Sequence, residues 1–77
     1  MIFYYIIWPS LDSFESTIVP LPSGQTLGDP RVDINGRRLS RYDETQLTQA
    51  DLDYFNSMEG VVVQTYPPEP WIEPEYE

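Results

Sequence analysis

The longest uninterrupted apolar run in the chain is Ile2-Phe3-Tyr4-Tyr5-Ile6-Ile7-Trp8, and any core has to be organised around it. Its β-branched and aromatic residues show no polar alternation, which suits a strand covered on both faces and predicts a central strand. With 77 residues and no cysteine, the chain has one thin core and no disulfide to reinforce it, since a domain of this size buries only about 60–65% of its unfolded surface. The run is short, lacks a positive flank and ends at Pro9, which fits neither a signal peptide nor a membrane span.

Around this strand the local signals predict a small α+β domain over residues 1–66. Residues 9–15 read as a turn, and Ser16 to Val19 as a short strand ended by Pro20 and Pro22. Residues 22–30 carry turn formers without a period and read as an exposed loop. In Val32-Asp33-Ile34-Asn35-Gly36-Arg37-Arg38-Leu39, the Asn-Gly pair predicts a hairpin with a two-residue type I′ turn. That register sets Val32, Ile34 and Leu39 on a core face and pairs Asp33 with Arg38 on the solvent face. Thr48 with Asp51 approximates a capping box and Gly60 suits a left-handed stop, which predicts a helix over 48–59 with Leu47, Ala50, Tyr54, Phe55 and Met58 along its apolar stripe. Val61 to Tyr66 reads as a buried strand that can lie beside the first. The expected whole is a mostly antiparallel sheet of three to five short strands with one helix on one face, followed by a Pro-rich acidic tail over 67–77.

Charge and missing residue types narrow the function. Thirteen acids against four arginines give a net charge of -9, with neither lysine nor histidine present. Such a balance argues against direct binding to nucleic acid or anionic membranes and favours a basic protein partner. The absence of thiol and imidazole excludes cysteine nucleophiles, Ser-His-Asp triads and thiolate or imidazole zinc sites, and no cofactor is expected. The missing cysteines also fit a cytoplasmic setting, the host's if the source is viral. Residues 1–30 carry a charge of -3, residues 31–41 hold all four arginines and sum to +3, and residues 42–77 carry -9. The arginine cluster could grip a phosphate, but Asp33, Asp43 and Glu44 adjoin it, so internal pairing is the expected use of the guanidiniums.

Two features are candidates for contact with a partner. Asp43, Glu44, Asp51, Asp53 and Glu59 would form an acidic surface able to imitate the spaced charges of a nucleic-acid backbone; the plain alternative is a solvated helix face. The tail interleaves Trp71, Ile72 and Tyr76 with Glu69, Glu73 and Glu75, a pattern that can dock aromatics into apolar pockets while carboxylates meet Lys or Arg. Its alternative is that Trp71 and Ile72 fold back over the sheet. Pro67-Pro68-Glu69-Pro70 also meets the loose PxxP pattern, without a flanking base to orient it. Paired carboxylates such as Asp51 and Asp53 point about 200° apart on a helix, which disfavours a metal or acid-base site.

The expected function is non-enzymatic binding, in which the acidic surface and tail occupy a basic site on a nucleic-acid-handling protein. Small acidic inhibitors that phages use against host defences, such as anti-CRISPR and anti-restriction proteins, have this general character, although no motif ties the chain to one family. The alternative is a virion or assembly accessory subunit that joins neighbours through its tail and a strand edge.

Overall fold

The apolar run becomes a six-residue strand, β1 (Phe3–Trp8), at the centre of a four-stranded antiparallel sheet. The computed structural model describes residues 2–74. In chain order the other elements are α1 (Leu11–Glu15), β2 (Arg31–Val32), β3 (Arg38–Asp43), α2 (Gln49–Ser57) and β4 (Val62–Gln64). The strands lie in the order β2-β3-β1-β4, so β1 has a partner along both edges, as a strand of its composition should. Among the described residues no helix is long and apolar enough to cross a membrane.

Register divides the sheet into two faces. Tyr4 lies opposite Tyr42, and Ile6 opposite Ser40 and Val63, on the face that receives α2. There Ile6, Trp8 and Tyr42 join Leu21, Leu47, Phe55 and Val61 in the core. Trp8 is its pivot: the indole meets Phe14 and Phe55 edge to face, at centroid distances of 4.9 and 5.8 Å. Its Nε1–H donates to Thr17 Oγ1 at 2.9 Å, which satisfies the polar atom that burial would otherwise strand. On the opposite face, Ile7 lies beside Leu39 and Val62, and Tyr5 beside Arg41 and Gln64.

The helix expected over 48–59 is present as α2, with Thr48 as its N-cap. Its capping box is complete: the Asp51 N–H donates to Thr48 Oγ1, and the Thr48 N–H donates to Asp51 Oδ2 at 2.9 Å. Gly60 follows with φ +79°, and a Cβ at that position would come within 3.2 Å of Pro9 Cγ, so the stop also closes the helix against the turn after β1. Phe55 is fully buried and Leu47 nearly so, but Ala50, expected in the stripe, is exposed. The expected strand over 61–66 is the shorter β4, paired with β1.

Three expectations are overturned. Residues 9–15 form a turn only at their start; Ser10 Oγ accepts the Ser13 N–H at 3.2 Å and caps the one-turn helix α1, which carries Phe14 onto Trp8. The sheet therefore has two helices rather than one. Ser16 to Val19 is not a strand: Ser16 ends α1, Thr17 is buried under Trp8, and Ile18 and Val19 are exposed. Within the irregular 22–30 segment Leu27 packs against the core.

The third correction is the hairpin. A type I′ turn needs a positive φ at Asn35, and among the described residues no non-glycine has one. Instead Gly36 N–H donates to Asp33 O at 3.0 Å, Gly36 takes φ +86°, and Asp33 N–H donates to Arg37 O at 3.0 Å, making a three-residue loop of Ile34, Asn35 and Gly36. Val32 now faces Arg38 and Arg31 faces Leu39, a slip of one residue from the expected pairing. Such a slip exchanges the faces. Ile34, expected in the core, is 64% exposed, whereas Asp33, expected in solvent, is 1% exposed. Asp33 Oδ1 accepts the N–H groups of Asn35 and Arg37 at 3.0 and 2.7 Å, and Oδ2 accepts Arg37 Nε at 2.6 Å.

Because three donors converge on one buried carboxylate, Asp33→Ala should cost about 2–3 kcal/mol in urea denaturation. Asp33→Asn, which keeps an acceptor for the two amides, should recover part of that loss. A loss below about 0.5 kcal/mol, the range of ordinary surface substitutions, would show that the loop does not depend on Asp33.

Candidate functional site

The surface that remains after folding has two unlike sides. Arg31, Arg37 and Arg41 are engaged on the tail side of the sheet, and Arg38, opposite Trp8, is engaged within the hairpin at the end of the helix-bearing face. Arg31 pairs with Glu73 of the tail, its Nε donating to Oε1 at 2.6 Å. Arg37 pairs with Asp33, donates Nη2–H to Pro70 O at 2.9 Å and lies 5.2 Å from the centre of the Trp71 ring. Arg38 Nη1 donates to Gly36 O, and Arg41 stacks over Phe3 at 4.8 Å. Internal use of the guanidiniums follows from their crowding beside carboxylates and aromatics in one hairpin.

The tail is tied down by these contacts and by a backbone bond from Ile34 N–H to Ile72 O at 2.7 Å. Pro67 to Trp71 form one wall of a groove of about 1220 Å³ whose other walls include Tyr5, Leu39 and Arg41. Trp71 and Glu73, candidates for a partner, are thus engaged within the chain. Glu69 is exposed, and Ile72 turns its side chain outward at its backbone anchor. Glu75 and Tyr76 lie outside the described residues.

The helix side is different. Asp12 and Glu15 on α1, and Asp53 and Glu59 on and just after α2, are exposed, and no basic residue occurs in either segment. Asp53 Oδ1 accepts a hydrogen bond from Gln49 Nε2 at 2.9 Å, and among the described residues no cation pairs with it. Glu44 is exposed after β3. Asp43 is half-buried; the Thr45 hydroxyl and the N–H groups of Thr45 and Gln46 hold its carboxyl below the usual carboxylate range and fix the turn into the following loop.

Asp51 does not belong to this surface. It is 0% exposed, and its Oδ1 accepts the Ser23 N–H at 2.9 Å while Oδ2 completes the capping box. Burial alone would raise its pKa; the hydrogen bonds from Ser23 and Thr48 outweigh that and hold the carboxyl below its ordinary 3.8. Its position in a capping box signalled the helix start, but only the path of residues 21–25 over the helix end shows that the carboxylate is covered. Sequence reasoning also passed over Asp12 and Glu15, whose signal was Ser10 spaced for an N-cap. Among the described residues no three acidic side chains converge to hold a metal ion.

Asp33, Asp43 and Asp51 are the carboxyls held below their ordinary range in the folded chain, so acid should act on the fold through them. Burial raises Asp33 as well, but its bonds to Arg37 and Asn35 leave it lowered. Groups lowered in the folded state contribute stability that is present above their unfolded pKa and is lost as pH falls through the folded pKa. The denaturation midpoint should therefore stay nearly level between about pH 5 and 7 and fall steeply below about pH 4. Asp51→Ala should be less stable at neutral pH and show a shallower acid decline; an unchanged acid slope would remove Asp51 from this role.

Compared with protein-family models, curated proteins and solved structures, the chain matches none of them.

Proposed function

We propose that the chain is a non-enzymatic acidic binding module that occupies a basic, nucleic-acid-binding site on a partner protein. The observation that carries this reading is the separation of charge. The four arginines are engaged by Glu73, Asp33, Gly36 O and Phe3, while the helix side keeps Asp12, Glu15, Asp53 and Glu59 with no cation in their segments. Carboxylates held on short, packed helices project a negative field that is not quenched locally and that steers a basic surface into contact. Their role is that of the phosphates the partner would otherwise bind.

A second reading, as an assembly subunit, draws on the part of β3 that β2 leaves unpaired. Glu44 N–H donates to Ile2 O at 2.9 Å, which aims the even-numbered residues of β3 at β1 and the odd-numbered ones outward. β2 pairs only as far as Leu39, so the backbone of Arg41 faces outward beyond the last β2 pair. An extended segment of a neighbour could pair there.

Capture from a lysate at low and high salt, with retained proteins identified by mass, separates the two. The acidic-module reading predicts a basic nucleic-acid-binding protein that is lost at roughly 0.5 M salt and displaced by duplex DNA. Charge reversal of Asp53 and Glu59 should slow its association about tenfold with folding intact. Retention that ignores salt, or recovery of the chain alone, would contradict it and favour assembly.

A further inference from the structure

Residues 17–23 run along α2 and are pinned to it and to its C-cap, Met58, at three places. Thr17 Oγ1 contacts Met58 Sδ at 3.8 Å, Ile18 N–H donates to Tyr54 Oη at 2.8 Å, and Ser23 N–H donates to Asp51 Oδ1 at 2.9 Å. Thr17 is also held by Trp8, and Leu21 is buried in the core. Between these anchors the chain holds apolar side chains outward: Ile18 is 71% exposed and Val19 50%. Ile18, Pro20, Pro22 and Tyr54 enclose a shallow depression of about 210 Å³. An isolated exposed apolar residue is ordinary, but a contiguous set on a segment fixed at both ends is a ready contact surface, with little ordering left to cost affinity.

The charge of the segments that build this depression decides what can cover it. Every residue that lines it comes from residues 1–30 and 42–77, which contain no base and carry charges of -3 and -9, and exposed Glu15 lies three residues before Ile18 in the chain. A second copy of the chain would bring the same carboxylates against themselves. A segment that carries an apolar side chain between cationic ones is complementary at both the centre and the rim.

We infer that the Ile18–Pro22 ridge and Tyr54 form the anchor that receives an apolar side chain from an arginine- or lysine-rich segment of a partner protein. The inference rests on the acidic-module reading and adds to it: carboxylates set the rate of encounter, and the apolar centre sets how long the complex lasts.

Two synthetic peptides of about twelve residues test this, one alternating arginine with leucine and its counterpart with serine for leucine. Their affinity for the full chain is measured by fluorescence anisotropy at several salt concentrations. The leucine peptide should bind about tenfold or more tightly than the serine peptide, as expected when apolar side chains leave water. Ile18→Asp should abolish that preference without weakening the serine peptide, because it adds a carboxylate while removing the apolar contact. Ile18 is so exposed that circular dichroism and the denaturation midpoint should not change. Equal binding of the two peptides, no binding of the leucine peptide, or a preference that survives Ile18→Asp would overturn the anchor. If Ile18→Asp removes the preference while neither salt nor Asp53→Lys affects either peptide, the anchor stands and the electrostatic reading fails.

Discussion

A carboxylate can be buried in a domain this small only if donors surround it, and Asp33 meets that condition by shaping the hairpin around itself. Its oxygens collect the N–H groups of Asn35 and Arg37 and the Arg37 guanidinium. To supply them, the loop takes three residues and places Gly36 at positive φ. The pairing of β2 with β3 then follows: Arg31 comes to the face of Leu39, where Glu73 meets it. Arg37 reaches Pro70 and Trp71, and Ile34, turned out of the core, uses its backbone to hold Ile72. Docking of the tail is thus a consequence of where one carboxylate sits.

The same constraint divides the molecule's charge. Guanidiniums drawn towards Asp33, the tail and Phe3 are unavailable to the opposite side, where α1 and α2 pack their apolar residues around Trp8 and direct Asp12, Glu15 and Asp53 to solvent. Asp51 is the exception on that side, because the segment that follows the exposed Ile18–Pro22 ridge covers the N-terminus of α2 and donates Ser23 N–H to it. Burial of Asp51 and exposure of the ridge therefore come from one path of the chain. Acidic helices and an apolar centre are products of the packing rather than of composition alone.

Features carried by strong local patterns were legible in the sequence. The central strand was visible in the β-branched and aromatic run from Ile2, and α2 in the Thr48–Asp51 capping box with Gly60 at its end. The register of the hairpin was not, because Asn35-Gly36 suits both a two-residue I′ turn and a longer loop, and the choice depends on which carboxylate gathers donors. The helix α1 is too short to show a period. Residues 67–74 have a composition that favours polyproline II and gives no pairing register, so their attachment to Arg31, Ile34 and Arg37 appears only in three dimensions. Of the acidic candidates on the helix side, Asp53 and Glu59 are exposed. Asp51 is not, because a capping carboxylate is exposed or covered according to a distant loop.

The central claim is that negative charge is concentrated on the helix side and neutralised on the hairpin and tail side. Paramagnetic relaxation of backbone amides by two small soluble probes, one cationic and one anionic and otherwise alike, reads this residue by residue. At low salt the cationic probe should be enriched most strongly near residues 11–19 and 49–59, and least along 31–41 and 69–73, with the contrast fading as the Debye length shortens. An even enrichment over the whole surface, or a maximum at the hairpin and tail, would contradict the account.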